Sequence, residues 1–224
     1  MEKSIDTENQ IINIIGEFSG SYTPYIVFSD WVKMMAVSIQ NSCCIIHDKL
    51  WQAREKEYID IVKKYSKKEI LAFCEMHALL WQSFDEHGIT DYLGEIYMRS
   101  GAGSKATGQF FTPFHLSELC AAIRLKDVKE NEIIKMNEPS SGGGGMILAV
   151  AKVMHERGLD YQKNLDVVAQ DLDWNGVYMT YVQLSMIGVK AVVAQGNTLS
   201  EPYTEEKYNS ERILITPAKM GAIL

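Results

Sequence analysis

Apolar side chains recur through the first hundred residues at the i, i+3, i+4 spacing of helices that bury one face. Thr7 with Gln10 reads as a capping box ahead of Ile11, Ile12, Ile14, Ile15 and Phe18, which predicts a short first helix. Trp31, Met34, Met35, Ser38 and Ile39 continue the spacing, and Leu50, Tyr58, Ile61 and Val62 repeat it between Lys49 and Tyr65. Ser66 with Glu69 forms the clearest capping box, opening a helix that Gly88 ends. Residues 1–100 are therefore predicted to be all-helical. The small-residue stretch Ser100-Gly101-Ala102-Gly103-Ser104, continued as loop from Lys105 to Gln109, marks the domain boundary.

Residues 101–224 alternate instead. Thr112 followed by Pro113 reads as an N-cap with proline at the first helical position, opening a helix through Leu116, Leu119, Ala122 and Ile123. A strand from Glu132 to Asn137, a glycine run and a helix from Met146 to Arg157 follow. Then come a strand from Leu165 to Gln170, a helix from Trp174 to Ile187, a strand from Lys190 to Gln195 and a last strand from Arg212 to Thr216. Strands and helices in this order predict βαβ units and a parallel sheet.

Composition narrows the function classes. The 224 residues are 46% hydrophobic and 23% charged, which suits a folded chain with a real core. The most apolar run, Met146 to Met154, is interrupted by Lys152 and is far shorter than the roughly 20 residues of a membrane span. The opening Met1-Glu2-Lys3-Ser4-Ile5-Asp6 has no secretory signal, so a cytoplasmic location is expected. Cys43, Cys44, Cys74 and Cys120 contain no Cys-x-x-Cys, and His47, His77, His87 and His115 show no ligand spacing, so neither a metal site nor a disulfide framework is expected. Residues 1–100 carry ten basic against fifteen acidic side chains and residues 101–224 carry twelve against fourteen. Neither half has the positive field of a stand-alone nucleic-acid binder, so DNA contact would rely on a local patch or a partner. Lys63, Lys64, Lys67 and Lys68 read as a solvated face, and Trp31, Trp51 and Trp81 as core rather than as base-stacking platforms.

The informative chemistry lies at the predicted strand tips. Asn137-Glu138-Pro139-Ser140-Ser141-Gly142-Gly143-Gly144-Gly145 joins the first strand to its helix. Glycines there let backbone approach a ligand at a helix N-terminus, although a tight turn uses glycine too. The second strand ends in Asp171-Leu172-Asp173, placing an acid where ribose hydroxyls would donate, while Asp173 also suits the cap of the next helix. Gln195-Gly196-Asn197 brings an amide to the third tip. Together these predict a nucleoside-containing cofactor site.

Gly108-Gln109-Phe110-Phe111-Thr112-Pro113 resembles the motif preceding the catalytic domain in the modification subunits of type I restriction enzymes and related N6-adenine DNA methyltransferases. Glu138 to Gly145 resembles their Asp-Pro-x-Cys-Gly-x-Gly-Gly loop, Asp171 falls on their ribose-binding acid and Asn197 on their acid near the adenine. The resemblance spans about residues 90 to 220 and implies a Rossmann-like fold, S-adenosylmethionine as cofactor, and methyl transfer to adenine N6 in DNA. It implies that Phe111, Thr112 and Pro113 cover the methionine end, that Glu138, Pro139, Ser140, Gly142 and Gly144 face the cofactor body, and that Asp171 with Leu172 holds the ribose. NAD remains an alternative, since ribose recognition by Asp171 does not separate the cofactors, but Ile147 stands where the last glycine of Gly-x-Gly-x-x-Gly belongs.

The family's Asn-Pro-Pro-Phe/Tyr motif, which holds the target amine of a flipped adenine, is missing. Thr216 and Pro217 stand at its expected position, and a threonine lacks the planar donor and acceptor of an amide. The chain stops at Leu224, as do short phage and mobile-element proteins labelled N6 DNA methylases, which it also resembles. The family's sheet has seven strands; here four are expected, in the order 3-2-1-4, leaving the fourth as an open edge for a second copy or a partner subunit. The alternative to an enzyme is a SAM-binding or interaction module that works with a partner in restriction or defence.

Overall fold

The computed structural model describes residues 2–103, 111–207 and 211–222, with side chains from residue 6 onward. The chain divides into two units: Met1–Gly88 with Tyr92–Phe110, and Ile89–Asp91 with Phe111–Leu224. The division thus differs from one drawn at 100/101, and Ile89–Asp91 joins the second unit. Lys105 to Gln109, and with them Gly108, Gln109 and Phe110, lie outside the described residues.

The first unit contains α1 (Glu2–Glu17), α2 (Pro24–Ser42), α3 (Lys49–Val62), α4 (Lys67–His87) and α5 (Tyr92–Arg99). Ile11, Ile15, Phe28, Trp31, Met76, Leu80, Leu93 and Ile96 form its interior. The capping box at the start of α4 is present in both directions, Ser66 Oγ accepting from the Glu69 amide and Glu69 from the Ser66 amide. Thr7 caps nothing: α1 begins earlier, and the Thr7 hydroxyl lies 2.8 Å from that of Ser83 in the interior. Trp31 is buried, whereas Trp51 is half-buried and Trp81 exposed, so only the first of the three is core.

The second unit contains α6 (Phe114–Arg124), β1 (Ile134–Glu138), α7 (Gly145–Glu156), α8 (Tyr161–Asn164), β2 (Leu165–Asp171), α9 (Trp174–Met186), β3 (Lys190–Gln195), β4 (Ile213–Ile215) and α10 (Pro217–Met220). The expected order 3-2-1-4 is not found: the strands lie in the order β1-β2-β3-β4. β1, β2 and β3 are parallel, while β4 pairs with β3 antiparallel. The route explains the direction. A parallel return needs a long crossover, usually a helix, to carry the chain back to the amino edge of the sheet. Among the described residues between β3 and β4 there is a single 3-10 turn at Glu205–Lys207, and the chain re-enters from the carboxyl edge, where the Gln195 amide donates to Arg212 O at 2.8 Å.

Both parallel crossovers progress the same way along the sheet, and right-handed connections then put α7 and α9 on one face. Leu165, Val167, Ala169, Ala191, Val193 and Leu214 are buried beneath them. On the other face, Lys135 and Asn137 are exposed, Asp166 and Val168 half-buried, and an open depression of about 690 Å³ runs between these residues, Val192, Tyr203 and Lys219. α6 packs on α7 through the small Ser117 and Ala121, so Leu116, Leu119 and Ile123, the expected core face, are exposed. Pro113, not Thr112, holds the N-cap position of α6, and no side chain caps it. Among the described residues no helix is long and apolar enough to cross a membrane.

Candidate functional site

Three strand tips meet at the carboxyl edge of the sheet. The Ser141 amide donates to Gln170 O at 3.0 Å, the Gly196 amide to Asp171 O at 2.8 Å, and the Thr198 hydroxyl to Pro139 O at 2.7 Å. These bonds lace the loops after β1, β2 and β3 into one surface, the place where open α/β sheets bind ligands.

Asp171 is the hub. Its Oδ2 accepts from the Gly142 amide at 2.7 Å and its Oδ1 from the Asp173 amide at 2.9 Å. Burial raises its pKa, against the lowering effect of those two amides. Gly176, in the first turn of α9, lets the carboxylate in; a Cβ there would stand 2.7 Å from Asp171 Cγ. Glu138, at the tip of β1, accepts from the Ser140 amide at 3.3 Å, and its pKa is raised by burial and, less strongly, by the charge of Asp171. The neighbouring Leu172 is 66% exposed. Asp173 caps α9 by accepting from the Asn175 amide at 3.2 Å, and Asp171 takes no part in that cap.

The glycine loop is held by its own protein. Gly142 and Gly144 have φ of 52° and 91°, left-handed values that a side chain strains. Phe111 lies against Gly142, 2.9 Å from where a Cβ would be, so the Phe-Thr-Pro segment covers this loop, with Thr112 and Pro113 exposed beside it. From below, Thr180 Oγ1 is 3.0 Å from Gly142 O, and Gln183 Nε2 donates to Gly143 O at 2.7 Å and to Asp91 at 2.8 Å. No spacing in the sequence marks Asp91, Thr180 and Gln183. The signal available for the last two is that, with Asn175 and Ser185, they are polar residues within the mainly apolar helix α9.

Phe111, Glu138, Pro139, Ser140, Gly142, Gly144, Asp171 and Leu172 therefore gather at one edge, with Asn197 at its rim, exposed and accepting from the Leu199 amide at 3.0 Å. Thr216 and Pro217 do not join them. Because β4 is antiparallel, Thr216 sits at the amino edge, fully buried, its hydroxyl donating to Val189 O at 2.7 Å and accepting from the Ala191 amide at 2.8 Å. Among the described residues no His, Cys, Asp and Glu cluster is arranged to hold a metal.

Two solved structures match this chain, the first of them at the level of the fold. A type I restriction-modification system methyltransferase subunit from Streptococcus thermophilus matches with a TM-score of 0.50 at 13% identity, over 90% of this chain and 60% of its own. A class I S-adenosylmethionine-dependent methyltransferase candidate from Listeria monocytogenes matches with a TM-score of 0.43 at 10% identity, over 88% of this chain and 55% of its own. The chain thus spans little more than half the length of either. The family described as N-6 DNA Methylase matches residues 89–218, a span that contains every residue of the site and more than half of the sequence, and the chain belongs to that family.

Proposed function

We propose that this chain binds S-adenosylmethionine at the carboxyl edge of its sheet and that, within residues 1–224, it supplies the cofactor half of an adenine-N6 DNA methylation site without a catalytic motif. The observation that carries the reading is the Glu138–Asp171 pair facing a glycine loop across the tips of β1 and β2. Asp171 takes the Gly142 and Asp173 amides, with the Leu172 amide acting on it as well, and a carboxylate that accepts about four bonds keeps room for a ribose hydroxyl. Leu172 offers apolar surface beside it for a purine, and Phe111 with Thr112 and Pro113 shields the glycine loop. The residues present fit the cofactor, whose sulfonium makes a methyl group electrophilic when it is bound. Thr216 and Pro217 are given no part: a hydroxyl whose donor and acceptor both serve backbone has nothing to offer a flipped base.

The methyl acceptor, DNA, and a second copy or partner subunit at an open edge of the sheet belong to the same proposal, as does a cytoplasmic location. Titration calorimetry with S-adenosylmethionine, followed by tritiated methyl transfer to DNA, tests it. Saturable binding without incorporation is the expected result. Incorporation by the chain alone would favour the fully catalytic reading, and no binding would end both.

A further inference from the structure

α4 has one face in the interior and a second, patterned face outside it. Phe73, Met76, Leu80 and Ser83 are buried in the first unit, where Phe73 stacks on Phe18 and Ser83 meets the Thr7 hydroxyl of α1. On the opposite side of the helix Lys67, Leu71, Cys74, Ala78, Trp81 and Asp85 are all exposed, Leu71 by 59% and Trp81 by 41%. Their spacing alternates between four and three residues, the repeat by which one helix keeps facing another, and it is kept over about 27 Å. The row is also symmetric about the level of Met76. Small side chains stand two residues away on either side (Cys74 and Ala78), large apolar ones five away (Leu71 and Trp81) and opposite charges nine away (Lys67 and Asp85). An antiparallel copy of the same helix therefore meets its complement in every layer: Leu71 against Trp81, Cys74 against Ala78 and Lys67 against Asp85, each of them twice.

Two further observations favour a partner over water. Lys67 opens α4 and Asp85 lies in its last turn, the reverse of what the helix dipole favours, and among the described residues neither has an ion-pair partner. Trp81 donates its indole Nε1–H to His77 Nε2 at 3.0 Å within the same helix, so the ring can be covered without stranding a donor. We propose that α4 pairs antiparallel with α4 of a second copy of this chain, across a two-fold axis at the level of Met76. This surface belongs to the first unit and is distinct from both the cofactor edge and the open edge of the sheet in the second. Glu75, exposed beside the axis, meets its own copy there, one repulsion against two attractions. Six side chains from each copy make a small seam, so association is expected in the micromolar range.

Sedimentation equilibrium of the full chain from about 1 to 200 µM tests the pairing, and a reversible monomer–dimer equilibrium is expected. Leu71→Ser and Trp81→Ala, both at exposed positions, should weaken it at least about tenfold. Lys67→Glu and Asp85→Lys each set like charges opposite one another and should weaken it about fivefold, while the double variant restores it. These reversals agree with the helix dipole, so the thermal midpoint of the monomer should not fall. Glu75→Gln should tighten the dimer. A monomer throughout the range overturns the proposal, as does a dimer indifferent to Leu71 and Trp81, which would place association on another face. Single reversals that weaken the dimer without rescue in the double variant also overturn it, because only self-complementary antiparallel pairing predicts the rescue.

Discussion

Asp171 and Thr216 stand at opposite edges of one sheet, and each is tied to backbone by hydrogen bonds, but the accounts close differently. The Thr216 hydroxyl has one proton to give, and it goes to Val189 O at 2.7 Å with Ala191 O as a more distant acceptor at 3.3 Å, while the Ala191 amide takes its lone pair in a fully buried position. Asp171 also receives backbone amides, yet a carboxylate accepts about four bonds and this one is only half-buried. The difference teaches where to look for chemistry in such a fold: at groups with more bonding capacity than the protein itself consumes.

The largest expected effect is at the open edge. Asp171→Ala should abolish measurable S-adenosylhomocysteine binding by calorimetry and, by leaving the Gly142 and Asp173 amides without their acceptor, lower unfolding stability by about 1–3 kcal/mol. Retained affinity would move the ligand site elsewhere. Thr216→Val should cost a similar ~1–3 kcal/mol in urea unfolding while leaving affinity unchanged, since it strands buried backbone groups far from the site. A matching loss of affinity would erase the contrast between the two edges. Gly176→Ala pushes a methyl group toward Asp171 Cγ and should cost about 1–3 kcal/mol with a weakened affinity, which separates the placement of the carboxylate from its presence.

A smaller effect follows from acidity. Burial holds the carboxyls of Glu138 and Asp171 above their ordinary values, so each binds its proton more tightly folded than unfolded. Their contribution to stability is complete below the ordinary carboxylate range and is lost as pH rises through the raised folded values. Glu138→Gln should therefore flatten the decline of stability with rising pH just above that range, read from urea midpoints across a pH series. The smallest effect belongs to the amino edge: Lys219→Ala removes a partly exposed ion pair with Asp166 at 2.6 Å and should change stability by about 0–1 kcal/mol.

Most of the open edge was legible because it is local. Strand, glycine run, helix and the acid at the next tip are fixed by short-range spacing, and the loops after β1, β2 and β3 did come together. What was not legible depends on route and on distant partners. Ile213–Ile215 reads as a strand in either direction, and only the lack of a crossover helix among the described residues decides that it runs antiparallel beside β3. Asp91 lies in a stretch whose spacing suited the helical front, and no periodicity announces that its carboxylate belongs under Gly143. The apolar stripe of α6 misled for a packing reason, since close approach to α7 uses the small Ser117 and Ala121 and leaves Leu119 and Ile123 outside. Thr7 shows the same limit, because a threonine three residues before a glutamine is a capping box only if the helix starts there.

The strand order also sets a clock on the site. β2 and β3 are hydrogen-bonded along both sides, whereas among the described residues β1 and β4 are bonded along one. Amide protons of Val167 to Gln170 and Ala191 to Ala194 should then outlast those of β1 in deuterated water, because an edge strand detaches without breaking the rest of the sheet. Asp171 ends an inner strand and Glu138 ends an edge strand, so exchange is expected to reach the β1 wall of the crevice before the β2 wall.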